Sequence, residues 1–490
     1  MFYNFDGTKV TKLKVKIEKP GNYGLGYISG DITNDKPTII DWGNGNKTTL
    51  KTPITNKEQA NSSTDFHAYY SKSGEYVITI DGWYNHFQCY DSYTTKSGVT
   101  QICDVLTEII QVSSLITGFT DTFSSCSGLT SIPSGLFDEN TSVTRFESTF
   151  QNCKNLTSIP PGLFDENTNV TSFGSTFSDC KSLAKIPSGL FDKNISVTSF
   201  GWTFADCSGL KEIPDGLFDE NTAVTNFKGT FQGCKSLAKI PDGLFDKNIS
   251  VTSFLQAFFS CSRLTSIPSG LFDENRKAIN FQKAFYKCKS LKSIPPKLFD
   301  NNTNVTNFES TFRDCSSLTK IPDGLFDKNT KVTSFDSTFS DCSDLTEIPS
   351  GLFDSNTKVT SFKGTFQGCK SLTSIPAGLF DKNTNVTDFG IKTNFSEPYK
   401  HGTFSGCSGL TSIPSRLFDN NTNVTEFSYT FYNCYSLTGE TPYTLSDGKR
   451  IKLWQRDKEN GFTKLTSGQR AFYGCTNLTD FEDIPDTWKY

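Results

Sequence analysis

The sequence predicts an α/β repeat solenoid, with a short parallel strand and a short helix in each 27-residue coil, preceded by a small all-β sandwich. Three observations predict it. Ten cysteines, from Cys126 to Cys369, fall at intervals of 27 residues. Apolar residues recur at fixed places between them. The first 85 residues lack this period and instead carry short alternating runs between Gly and Asn turns. A fixed period of this size marks a chain whose units bury their apolar faces only by stacking on one another.

The coil elements follow from one unit. Val143, Phe146, Phe150 and Cys153 are spaced three, four and three apart, the spacing of one helical face. Asn140, Thr141 and Ser142 just upstream offer side-chain oxygens for an N-cap. The other half, Leu129 to Pro133, is too short for a helix, and Pro133 keeps the residue before it out of the α region. A short extended segment ending in a turn fits there. Asp138 and Asn140 then sit in the turn between strand and helix, where short side chains bond backbone N–H groups. With parallel strands about 4.8 Å apart, the stack would reach roughly 60 Å. The period slips twice: Cys369 to Cys407 is 38 residues and Cys434 to Cys475 is 41.

Composition narrows the function. Net charge is −4, which gives nucleic acid or anionic lipid no field to follow. No apolar run is long enough for a membrane helix, so direct membrane insertion is not expected. Forty-four Phe against one Met implies a repeated structural slot. One Cys per repeat, as at Cys126, Cys153 and Cys180, reads as a column of free buried thiols rather than a disulfide framework. Cys89 and Cys103 lie outside the column and could pair. The opening Met1-Phe2-Tyr3-Asn4-Phe5-Asp6 shows none of the marks of a secretory signal. The expectation is a protein that stays where it is made or leaves by a route such as lysis.

In the front region Val10, Leu13, Val15 and Ile17 read as a strand, Thr38-Ile39-Ile40 as a second ending in the turn Asp41-Trp42-Gly43-Asn44-Gly45, and Tyr76 to Ile80 as a third. The turn, with His67-Ala68-Tyr69 and Gly74-Glu75-Tyr76-Val77-Ile78, resembles the polycystic-kidney-disease (PKD) type immunoglobulin-like domain over residues 8–82, with Gly43-Asn44-Gly45 where the family usually has Gly-Asp-Gly. The resemblance implies a spacer or attachment module. The repeats, as in Phe150-Gln-Asn-Cys153-Lys-Asn-Leu156-Thr-Ser-Ile159 followed by Phe164-Asp165 and Val170-Thr171-Ser172-Phe173, resemble the leucine-rich repeats of the BspA-like surface proteins from about residue 116 to 490. That resemblance implies attachment to bacterial surfaces and adhesion. The expected organisation is an immunoglobulin-like sandwich over 1–85, linker and cap over 86–116, repeats over 117–475 with insertions near 390–401 and 440–465, and a closing cap over 476–490.

Catalytic chemistry finds little footing. His67, His86 and His401 share no ligand-like spacing, and neither a Gly-x-Ser-x-Gly elbow nor a phosphate loop is present. Asp138 and its equivalents one repeat on, from Asp165 to Asp419, read as turn caps, with calcium ligands or paired acids as alternatives. Identical environments do not make an acid–base pair. No cofactor or metal is expected. The two insertions are the candidate binding loops: Phe395, Tyr399 and His401 in the first, Tyr443, Arg450, Trp454 and Arg456 in the second. They mix aromatic with basic residues as interaction hot spots do; the competing reading is that they pack over the last coils. The expected structural residues are Asp138, Asn140, Phe146 and Phe150 with the Cys column. The expected function is a non-enzymatic recognition or structural protein, foremost a bacteriophage virion component (fibre, spike or decoration) made in the host cytoplasm. Its partners would be other virion proteins or a bacterial surface glycan or protein, not nucleic acid, with a homo-oligomer open to it. The alternatives are a bacterial cell-surface adhesin, a glycan-active enzyme and an intracellular scaffold.

Overall fold

The structure, a computed structural model, describes residues 9–52, 67–89, 99–390, 402–446 and 448–490, the Tyr27 side chain apart. The chain forms two compact units, Met1–Leu237 and Ala238–Tyr490.

The first unit opens with strands. β1 (Val10–Ile17), β4 (Thr38–Asp41), β5 (Lys47–Leu50), β7 (Gly74–Gly82) and β10 (Leu106–Gln111) form an antiparallel sheet in the order β10-β1-β7-β4-β5. Along β1, Leu13, Val15 and Ile17 are buried and Lys14 and Lys16 are not, the period-2 pattern of a sheet with one covered face. A second sheet joins β6 (His67–Tyr70), β2 (Gly21–Gly24) and β9 (Val99–Gln101), and β3 (Tyr27–Ser29) pairs with β8 (His86–Gln88). The three runs read as strands in the sequence are β1, β4 and β7. Trp42 is buried behind the first turn, its Nε1 donating to Thr48 Oγ1 at 3.0 Å, and Tyr70 donates its hydroxyl to the Trp42 carbonyl at 2.7 Å. Gly43 is needed there: φ is +71°, and a Cβ would fall 2.5 Å from the Val77 carbonyl oxygen.

The coils overturn the expected α/β solenoid. Among the described residues the α-helices are α1 (Ile102–Val105) and α2 (Asp486–Lys489), both outside the coils, and regular structure is otherwise strand with two short 3-10 turns. The segment from Val143 to Cys153 is a run of turns. Ser148 has φ +54° and Asn152 φ +60°, and Ser175 and Asp179 repeat this one coil on. Left-handed residues every four positions cannot belong to a right-handed helix. Backbone hydrogen bonding instead alternates. The N–H groups of Phe146, Ser148, Phe150 and Asn152 donate to carbonyls of the next coil (Ser172, Gly174, Thr176, Ser178), while those of Thr149, Gln151 and Cys153 donate three residues back within the coil. Every N–H from Thr149 to Cys153 is thereby satisfied without helix or sheet. The three-four-three spacing is genuine, but it records which turn residues point inward. The expected strand Leu129–Ile132 is no strand either, and no continuous sheet runs along the coils. Single parallel bridges link Arg145 to Ser172, Ser199 and Asn226 in the first unit, and Ser253 through Asn280, Asn307, Ser334, Ser361, Asp388 and Glu426 to Ser467 in the second.

Side-chain columns hold the coils. Three Phe per coil stack on their equivalents: Phe137 on Phe164 at 5.9 Å and 5°, Phe146 on Phe173 at 5.9 Å and 6°, Phe150 on Phe177 at 5.7 Å and 6°. Each is fully buried, worth about 1.5–3 kcal/mol against exposure, and together they account for the Phe-rich composition. Asn140 is buried and is no turn cap. Its Nδ2 donates to the Ser113 and Ile116 carbonyls, both at 2.9 Å, and Asn167 repeats this onto Phe137 and Asn140 at 3.0 Å. Thr176 Oγ1 donates to Phe146 O and Phe173 O, and Cys180 Sγ to Phe150 O at 3.2 Å. All fifteen thiols are free and buried, Cys89 and Cys103 included. Asp138 curls over the turn at Gly135, where φ is +67° and a Cβ would sit 2.8 Å from its Oδ2.

Candidate functional site

The second insertion builds the described candidate site. Phe395, Tyr399 and His401 of the first lie outside the described residues. The chain leaves the coil after Leu437, forms the hairpin β11 (Tyr443–Ser446) and β12 (Lys449–Lys452), turns at Leu453–Gln455 and returns to the coil register at Ser467. On the hairpin Arg450 lies 4.6 Å over the Tyr443 ring and 2.9 Å from Glu440, an exposed arrangement worth at most about 1 kcal/mol. Lys452 Nζ reaches Asp480 Oδ2 at 2.6 Å and the Thr441 carbonyl at 3.1 Å. Burial pushes the Asp480 carboxyl up, but hydrogen bonds from Lys452 and Thr441 outweigh it and hold it below the usual range.

Arg456 goes inward. It is 3% exposed, and its guanidinium donates to the Phe418 carbonyl at 2.8 Å, the Asn421 carbonyl at 3.2 Å and Thr444 Oγ1 at 3.1 Å, with the Phe462 ring 4.4 Å away. Asn421 itself donates to Phe380 and Asn383, the equivalent carbonyls one coil earlier. Arg456 therefore occupies the rung that the next asparagine would have filled. Burial lowers its pKa to about 10, which leaves it charged at neutral pH. A guanidinium tolerates this because it is weakly hydrated and fans its donors in one plane.

Trp454 stands at the end of the coils. Its ring lies 6.0 Å from Trp488 at 67° and 6.4 Å from Phe472 at 87°. α2 lays Trp488 on Phe472, with centroids 6.3 Å apart and planes at 20°, and against the backbone of Gly468, where a Cβ would fall 2.1 Å from the indole. The tail also supplies backbone acceptors: Arg470 N donates to Thr487 O and Phe472 N to Trp488 O, both at 2.9 Å. Beside these rings is a cavity of about 490 Å³ lined by Trp454, Leu465, Thr466, Ser467, Gly468, Gln469, Thr487, Trp488 and Tyr490.

A second aromatic surface was missed in the sequence. Two residues before each column cysteine the coils carry Gln151, Ser178, Ala205 and Gln232, then Phe259, Tyr286 and Arg313. Phe259 and Tyr286 meet edge-on at 4.9 Å, Lys287 lies 5.1 Å over Tyr286, and Arg313 lies 5.6 Å over the same ring. Farther along, Tyr432 stacks on Tyr473 at 4.8 Å and 12°. Aligning the repeats on Cys would have exposed this column, because its members change while their buried neighbours Phe150 and Cys153 recur.

The repeat register is matched by comparison with known proteins. The BspA type leucine rich repeat region matches residues 96–211 and 292–438, together more than half of the chain. The chain belongs to this BspA-type leucine-rich-repeat family. A Mycoplasma protein family of unknown function matches residues 198–322. Residues before 96 fall outside both matches, so the PKD resemblance gains no support from them. No curated relative matches the chain. Among solved structures the chain is similar to a leucine rich cell surface protein from Faecalibacterium prausnitzii (21% identity, 68% of this chain, 78% of that one, TM-score 0.34). It is also similar to a leucine-rich repeat protein from Eubacterium ventriosum (17% identity, 77% and 72%, TM-score 0.31). Among the described residues no group of three or more His, Cys, Asp or Glu could hold a metal ion, and no helix is long and apolar enough to cross a membrane. A stack of such repeats presents an extended surface of the kind used for binding.

Proposed function

We propose that this BspA-type repeat protein is a non-catalytic recognition protein of the bacterial cell surface, an adhesin, with the column of Phe259, Tyr286 and Arg313 as its contact surface. The observation that carries the reading is the contrast within the repeat. Buried Phe, Asn and Cys recur coil after coil, whereas the residue two before the cysteine changes from Gln, Ser and Ala to two aromatics and an arginine. Aromatic and guanidinium side chains gathered on a rigid support are what interfaces enrich. The family match favours a bacterial surface over a phage particle.

The test has two arms. Antibody labelling of intact source cells is compared with labelling of particles purified from the same culture; signal on cells is expected, and signal confined to particles returns the protein to the virion. Binding of fluorescent protein to bacterial and epithelial cells is then measured for wild type and for Phe259→Ala/Tyr286→Ala/Arg313→Ala. A drop of tenfold or more at unchanged melting temperature is expected, and unchanged binding removes this surface from the reading.

A further inference from the structure

The cavity beside Trp454 is chemically unlike the Phe259–Arg313 surface, and it stands on its own observations. Its volume of about 490 Å³ lies within the ~300–1,000 Å³ of small-ligand sites. Trp454, Trp488 and Tyr490 give it aromatic faces. Trp488 is 7% exposed and pinned by Phe472 and Gly468, whereas Tyr490 is 63% exposed. The aromatic lining thus runs from a fixed floor to an accessible edge.

The polar lining is uniform in kind. Thr466, Ser467 and Thr487 contribute hydroxyls and Gln469 an amide, and each of these groups both donates and accepts. Two hydroxyls are already oriented by the fold: Thr466 Oγ1 donates to the Thr425 carbonyl at 2.8 Å, and Ser467 Oγ pairs with Ser428 Oγ at 2.7 Å while accepting from the Gln469 N–H at 3.2 Å. Gln469, Thr466 and Thr487 are exposed, so they can exchange water for a ligand at little cost. No Asp, Glu, Lys or Arg lines the cavity. A phosphorylated or sulfated ligand would find no cationic side chain there.

We propose that this cavity binds a neutral saccharide. A sugar ring has an apolar C–H face to lay on an indole or phenol and a rim of hydroxyls that donate and accept, which is the complement of this lining. The fixed floor keeps the ordering cost on binding low, because two of the ring platforms are already packed against Phe472.

The test is titration of the full chain with chitotriose, cellotriose, maltotriose and a β-linked galactotriose, followed by calorimetry and by Trp emission. Saturable binding of at least one of these is expected. It should weaken tenfold or more in Trp454→Ala and severalfold in Gln469→Ala, and stay unchanged in Leu445→Ala, an exposed position on the neighbouring hairpin. Gln469 is exposed, so its variant keeps the test sound if Trp454→Ala unfolds the last coil. Sulfated counterparts of the bound sugar should bind no more tightly. Failure of all four sugars to bind, binding indifferent to both cavity variants, or a preference for the sulfated forms overturns the proposal. None of these outcomes bears on the Phe259–Arg313 surface.

Discussion

An interior rung and the closing rung of the second unit differ instructively. At Asn329 the chain presents an amide to two carbonyls of the coil before, Phe299 and Asn302, each at 3.0 Å. At the end of the coils the same pair of carbonyls, Phe418 and Asn421, is taken by the Arg456 guanidinium, which arrives from the insertion. The repeat solves its hydrogen bonding by being identical to its neighbour, so wherever the neighbour is missing something dissimilar must imitate it. Asp486–Lys489 imitates the next backbone, and Arg456 imitates the next asparagine. The other end follows the same rule with different parts. There Cys89 N donates to Thr122 O, Thr117 N donates to Asn85 O, and the His86 imidazole Nε2 donates to Thr120 O at 2.8 Å.

The strongest way to break the comparison is to reverse the chemistry of an interior rung. Asn329→Asp keeps the shape and sets a carboxylate against two carbonyl oxygens with no donor in place. An uncompensated buried charge costs about 3–5 kcal/mol. With nothing to stabilise the anion, the folded pKa is raised above the unfolded value of about 4. The damage is therefore smallest below pH 4 and grows as pH rises through that value. Denaturant unfolding at pH 4 and pH 7 measures it, and equal loss at both would remove the charge argument. Arg456→Met is the matching change at the closing end. It removes three donated hydrogen bonds and a cation over Phe462, a loss of about 2–3 kcal/mol. If Arg456→Met is no worse than Arg450→Met on the exposed hairpin, Arg456 is not a rung.

The sequence discloses the period, its slips and the apolar inward positions, because burial repeats with the coil: Val143, Phe146, Phe150 and Cys153 share one face in the sequence and are all buried, whereas Asn140, a turn residue by sequence, is buried as well. It misled about how the backbone runs between them. Phe146, Phe150 and Cys153 have helical spacing, but Ser148 and Asn152 are left-handed, and neither residue type announces that. The later coils do hint at it, since Gly229, Gly233, Gly364 and Gly368 fill those same positions at positive φ. The candidate residues divided for a similar reason. Trp454 borders a cavity and Arg450 is exposed, while Arg456, equally basic and two residues from Trp454, is buried. Only the place of the Phe418 and Asn421 carbonyls at the end of the asparagine column distinguishes them.

The opening end offers a titratable counterpart. Burial lowers the pKa of His86 to about 4 from 6.5. Between those values the unfolded chain binds a proton that the folded chain refuses, so stability falls as pH drops from 6.5 towards 4. The imidazole is partly accessible, which trims the effect to about 1–2 kcal/mol. His86→Gln should unfold with a flatter pH dependence than wild type across this window and match it above pH 7. Parallel curves would mean that His86 stays as free to charge as it is in the unfolded chain.

The smallest effect belongs to the threonine column, and the sequence has already tried the change. Thr338 Oγ1 donates to Phe308 O at 3.0 Å and Phe335 O at 2.7 Å, bonds that resemble those of Asn329. Yet three coils carry Ala257, Ala284 and Ala471 at this place, whereas the asparagine position is Asn in every coil from Asn140 to Asn421. The carbonyls show why the hydroxyl is dispensable. Phe308 O and Phe335 O already accept the N–H groups of Thr311 and Thr338, so removing the hydroxyl orphans neither. Asparagine carbonyl partners are likewise served by backbone, but the amide also fills the volume between two coils, and Asn329→Ala would leave a cavity where Thr338→Ala leaves only the space of a hydroxyl and a methyl. Thr338→Ala should therefore cost about 1 kcal/mol, against about 2–4 kcal/mol for Asn329→Ala. Denaturant midpoints at constant slope decide it: equal costs would make the two columns the same device, and unequal costs in this order make the asparagine the rung and the threonine its trim.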